Sequence, residues 1–92
     1  MKLYLERVEH LLELAREVMK SRYSHTDIIY ADSVRSEKFA ELRSSSLSFI
    51  KSLYCESHPF FIDFDKKVHI GQAYEVEIAL GILSSIKTEI EK

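Results

Sequence analysis

Ninety-two residues carrying 13 basic and 15 acidic side chains give one small domain with a net charge of −2, too balanced and too scattered for a nucleic-acid-binding footprint. Two glycines and one proline leave few breakers, which favours helices over a turn-rich β fold. The longest near-continuous apolar stretch, Ile78 to Leu83, is interrupted by Gly81 and falls far short of the roughly 20 residues that span a bilayer.

The N-terminus sets Glu6, Glu9 and Glu13 among its leucines, unlike the basic start and uncharged centre of a signal peptide. A lone cysteine, Cys55, has no internal partner and fits a reducing compartment, so the expected location is cytoplasmic.

The first predicted helix runs from Lys2 to about Tyr23. Tyr4, Leu5, Val8, Leu11, Leu12, Ala15, Val18 and Met19 fall within an arc of about 140°. The opposite side alternates acids with bases, and the Glu13/Arg16 and Glu17/Lys20 spacings let opposite charges meet. Leu3 and Leu14 lie off the stripe, near His10, as an expected small outer patch.

Ser24 to Asp32 breaks the periodicity, with Ile28, Ile29 and Tyr30 as the side chains that would anchor this connector. Asp32, Ser33 or Ser36 can cap a second helix reaching about Tyr54, whose buried face is Phe39, Leu42, Leu47, Phe49, Ile50, Leu53 and Tyr54. Ser46 falls in the middle of that arc, where its hydroxyl is expected to bond the carbonyl of Leu42. Ser44, Ser48 and Ser52 step along the far side as a solvated face.

Ser57, His58 and Pro59 announce a short third helix, since proline is tolerated in a first turn. Phe60, Phe61, Phe64 and Val68 follow at helical spacing as core anchors. His69 to Gln72 form a turn pivoting on Gly71.

In the final helix Val76, Ala79, Leu83, Ile86 and Ile90 make one apolar stripe. Tyr74, Ile78 and Ile82 step by four along a neighbouring line, and Leu80 widens the other margin, so the first half of this helix is apolar over roughly two thirds of its circumference. Such a helix needs cover on two sides, which implies a central place in the fold or a partner on Tyr74, Ile78 and Ile82.

The chemical constellations are sparse. Cys55-Glu56-Ser57-His58 supplies two ligands where structural zinc wants four, and as a nucleophile pair it lacks an orienting third group. His10, His25 and His69 lie on separate elements. In Asp63-Phe64-Asp65 an inward Phe64 makes the two carboxylates diverge, and the Glu75/Glu77 and Glu89/Glu91 pairs, two residues apart, do not face each other. No phosphate-binding glycine loop and no H-E-x-x-H occurs. HEPN-type ribonucleases carry an Arg and a His four to six residues apart, whereas Arg7/His10 and Arg22/His25 are only three apart. No metal, cofactor or catalytic residue is therefore assigned.

The run Ser36-Glu37-Lys38-Phe39-Ala40-Glu41-Leu42-Arg43 leading into Ser45 to Ile50, the aromatic segment His58 to Phe64, and Gly81 to Lys87 together resemble an N-terminal helical accessory domain of uncharacterised prokaryotic proteins, in which a second domain often follows. The resemblance covers about two thirds of the chain and rests on core positions. Those relatives often have Trp where this chain has Leu42, and no catalytic residue is established among them, so what it implies is an accessory or interaction module. A chain ending within a helical pattern at Lys92 suits either a free terminus or a domain of a longer protein.

The expected fold is all-α: a small bundle of three long helices plus one short aromatic helix, forming a single domain over residues 1–92. The expected function is a non-catalytic protein–protein interaction or oligomerisation module, its partner a second copy or another protein. The alternative is a helical ribonuclease-like or toxin/antitoxin-type protein using Arg22, His25 and Asp27.

Overall fold

The computed structural model describes residues 2–20 and 36–92, and the described chain is all-helical: α1 (Lys2–Lys20), α2 (Ser36–Leu53), α3 (Pro59–Lys67) and α4 (Ala73–Glu91). The connector with Ile28, Ile29 and Tyr30, and the candidate caps Asp32 and Ser33, lie outside the described residues. Among the described residues no helix is long and apolar enough to cross a membrane.

The most extensive packing in the fold is that of α1. Its stripe of Val8, Leu11, Leu12, Ala15 and Val18 is buried, and it packs on both α2 and α4, which are otherwise joined through α3. The last helix likewise packs on two others, α1 and α3. The directions follow from which ends meet. Tyr4 and Arg7, early in α1, approach Phe49 near the end of α2, and Glu9 pairs with Lys87 near the end of α4 at 3.4 Å. Thus α1 runs opposite to both neighbours.

Serving two neighbours widens the buried face of α1 beyond the arc its main stripe defines. Leu14, expected on an outer patch with Leu3, is instead buried in the core cluster, and only Leu3 stays outside, 69% exposed. On the solvated side the Glu13–Arg16 pair forms at 3.3 Å.

The buried face of α2 comprises Phe39, Leu42, Phe49 and Ile50, with Leu47 and Leu53 packed at its margin. Ser44, Ser48 and Ser52 are exposed, and Ser52 Oγ donates to the carbonyl of Phe49 at 2.8 Å. Ser46 departs from expectation. It is fully buried, yet its hydroxyl makes no hydrogen bond, to the Leu42 carbonyl or to any other group among the described residues.

His58 is the N-cap of α3, its Nδ1 accepting from the N–H of Phe60 at 3.1 Å, and Pro59 occupies the first turn, where a missing N–H costs nothing. Phe64 and Val68 are completely buried, while Phe60 and Phe61 pack partly against the core. The far end of α3 is held by Arg43 of α2, which reaches across with Nε to the Val68 carbonyl at 2.8 Å and Nη2 to Asp65 Oδ1 at 2.7 Å. A cation over the last carbonyls of a helix satisfies acceptors that have no partner within it and opposes its dipole.

Ser46 makes a test of this packing. A buried hydroxyl without a partner costs about 1–3 kcal/mol, and alanine is also the better helix former. Ser46→Ala is expected to raise unfolding stability by about 1 kcal/mol in urea denaturation; a loss of stability would mean that the hydroxyl has a partner in solution.

Candidate functional site

The stripe of α4 is covered as its periodicity requires. Val76, Ala79, Leu83 and Ile86 are fully buried, and Ile90 and Leu80 pack partly against the core. The neighbouring line is covered only in part: Ile78 and Ile82 are half-buried against the core, and Tyr74 is 50% exposed. Ile70, in the turn that enters α4, is 63% exposed. Gly81 is exposed, and a Cβ built on it would meet open space. The fold thus leaves Tyr74 and the edges of two isoleucines in water after α1 and α3 have packed on the rest of the helix.

A carboxylate positions the start of this helix. Glu75 is only 2% exposed, and its Oε1 accepts from three consecutive backbone N–H groups: Ile70 at 2.9 Å, Gly71 at 2.7 Å and Gln72 at 3.2 Å. Gly71 sits at φ 99°, the left-handed region that suits glycine, and so turns its N–H toward the same oxygen. Oε2 lies 3.9 Å from His69 Nδ1. The arrangement is a helix cap in which the side chain at the third position folds back over the entering turn. It is a structural use of charge, and it fixes the direction in which Ile70 and Tyr74 are presented. Glu77, two residues on, is exposed, so the pair diverges as its spacing requires.

The Cys55–His58 segment forms a tight turn closed by the His58 N–H donating to the Cys55 carbonyl at 3.1 Å. Its thiol is exposed and hydrogen-bonded to Ser57 Oγ at 3.1 Å. The Ser57 side-chain and backbone hydrogen bonds favour the thiolate and pull the Cys55 pKa below its usual value, against slight desolvation and the nearby Glu56 charge. His58 does not complete a nucleophilic pair through Nδ1. That nitrogen is spent on the Phe60 N–H, and the ring stacks on Tyr54 at a centroid distance of 4.1 Å. The Tyr54 hydroxyl titrates above its ordinary range, from burial first and then from the charge and hydrogen bond of Glu89.

Asp63 and Asp65 are exposed, and Asp65 is occupied by Arg43. Among the described residues no group of three or more His, Cys, Asp or Glu side chains could hold a metal ion. Arg22, His25 and Asp27 lie outside the described residues.

A groove opens between the first half of α1 and α2, with a volume of about 340 Å³. Leu3, Glu6, Arg7, His10 and Leu11 line it from α1 and Ser45 from α2. The Arg7 guanidinium lies 5.1 Å from the centroid of the buried Phe49 ring, a cation–π contact.

Comparison with protein families, with curated proteins and with solved structures gives no match to this chain.

Two outcomes are expected. Glu75→Ala strips three backbone N–H groups of a charged acceptor, and urea denaturation should show a loss of about 2–3 kcal/mol, with Glu75→Gln falling between the two because its amide oxygen can still accept. For Cys55, a lowered pKa means that thiolate persists to lower pH. The midpoint of the iodoacetamide rate against pH should fall below that of a free cysteine, roughly 8.5, and Ser57→Ala should move it upward.

Proposed function

We propose that this domain is a non-catalytic interaction module that self-associates through Tyr74, Ile78 and Ile82 of α4. The reading takes the fold as three long helices closed at one end by a short aromatic helix, and it places the module in the cytoplasm, where an exposed unpaired thiol at Cys55 stays reduced.

One observation carries it: the apolar Tyr74/Ile78/Ile82 line stays partly in water although the Val76/Ala79/Leu83/Ile86 stripe of the same helix is completely buried. Removing such side chains from water is favourable by about 25 cal/mol per Å² of apolar surface, so each contributes to association in proportion to what the fold leaves uncovered. Gly81 supports the reading. In a helix interior glycine costs about 1 kcal/mol relative to alanine, and among the described residues no group lies close enough to require it. A face with no side chain there lets another surface approach the helix backbone, and Ile70 extends the apolar edge beyond the helix start. A two-fold homodimer is the simplest assembly, because it uses one patch on both copies.

Light scattering coupled to size exclusion, across a tenfold range of concentration, tests this. Wild type is expected to show a dimer that dissociates on dilution. Ile78→Asp should be monomeric at every concentration with unchanged helical circular dichroism, and Tyr74→Lys, which alters a half-exposed side chain, should weaken the dimer about tenfold or more. A wild-type monomer throughout the range, or a dimer indifferent to both substitutions, would overturn the proposal.

A further inference from the structure

The Arg7 groove is separate from the α4 face, and its lining has a definite chemical character. Leu3 and Leu11 supply apolar walls, Leu3 with 69% of its surface unused by the fold. Arg7 is the cation best placed within it. Its guanidinium is set against the Phe49 ring, and among the described residues it makes no ion pair, so its N–H donors are uncommitted. The ring contact restrains a side chain that would otherwise sample many rotamers, and a pre-oriented guanidinium forms the strongest hydrogen bonds to a planar carboxylate. His10, one turn further along α1, and the Ser45 hydroxyl across the groove add polar groups beside it. Glu6 lines the same groove and adds a negative charge.

We infer that the groove between α1 and α2 is a binding site for a small monocarboxylate with an apolar tail, its carboxylate on Arg7 and its tail along Leu3 and Leu11. The volume lies at the small end of ligand pockets, which fits a short aliphatic or aromatic acid rather than a nucleotide or a long lipid. Glu6 sets a second rule. Its charge disfavours a ligand carrying a further anionic group, so a monoacid binds better than the diacid of equal length.

The test is a titration of the 15N-labelled wild-type chain with hexanoate, 1-hexanol and adipate, followed by amide chemical shifts. Hexanoate is expected to shift residues 3–11 and Ser45 saturably in the millimolar range. Hexanol, which lacks the charge, should bind about tenfold more weakly, and adipate should also fall below hexanoate. In Arg7→Gln, hexanoate affinity should drop to that of hexanol while hexanol affinity is unchanged. Hexanol binding as tightly as hexanoate, shifts confined to another surface, or no saturable shift would overturn the inference. The comparison of ligands on the wild-type chain decides it even where loss of the Phe49 contact unfolds the variant.

Discussion

Everything in this fold depends on α1 being apolar enough to serve two helices at once. Val8, Leu11, Leu12, Leu14, Ala15 and Val18 are all buried, and they form a common surface for α2 on one side and α4 on the other. Fully burying an aliphatic side chain of this size contributes about 1.5–3 kcal/mol, so this one helix supplies a large share of the favourable term in a domain whose net stability is small. The remaining helices are then arranged by what α1 leaves uncovered. The short α3 bridges α2 and α4, its Phe64 and Val68 extending the core between them.

Two charged side chains fix the geometry that apolar packing leaves loose. Arg43 ties the end of α3 to α2, and Glu75 gathers the turn that follows into the start of α4. Only His69 separates Val68, held by Arg43, from Ile70, held by Glu75, and both devices act on backbone groups that helix ends leave without partners. The pair therefore ties down both sides of the turn through which α4 follows α3. Ala73, Glu75 and Val76 are buried at the start of α4 and Tyr74, about 100° from Glu75, lies half-exposed at the edge of that buried face.

Periodicity made the helices legible. The stripe of α1, the Val76/Ala79/Leu83/Ile86 stripe of α4 and the His58-Pro59 start of α3 can be read from spacing because each reflects a local rule of helix geometry or capping. The misread positions are those decided by tertiary neighbours. A single arc leaves Leu14 outside, but a helix wedged between two others buries a wider sector. Ser46 invites a bond to the carbonyl one turn back, whereas in the packed core its hydroxyl has no partner among the described residues. Glu75 had a usable signal, since a glutamate three residues after a helix-entering turn is half of a capping box. Gln72 in place of the usual Ser, Thr, Asp or Asn hides it. Arg43 had none, because the carbonyl it caps lies 25 residues away.

The two candidate surfaces differ in what holds them. On α4 the exposed line is what remains after the core has taken what it can, so its use depends on a partner supplying the missing cover. At the Arg7 groove the cation is already anchored, because the ring that it covers needs cover: Phe49 is fully buried, and the guanidinium lies against its face. That arrangement couples packing to recognition. A ligand carboxylate on Arg7 would draw on the same side chain that shields Phe49, so occupation of the groove and stability of the α1–α2 contact should rise together, as linkage requires for any ligand that binds the folded state alone.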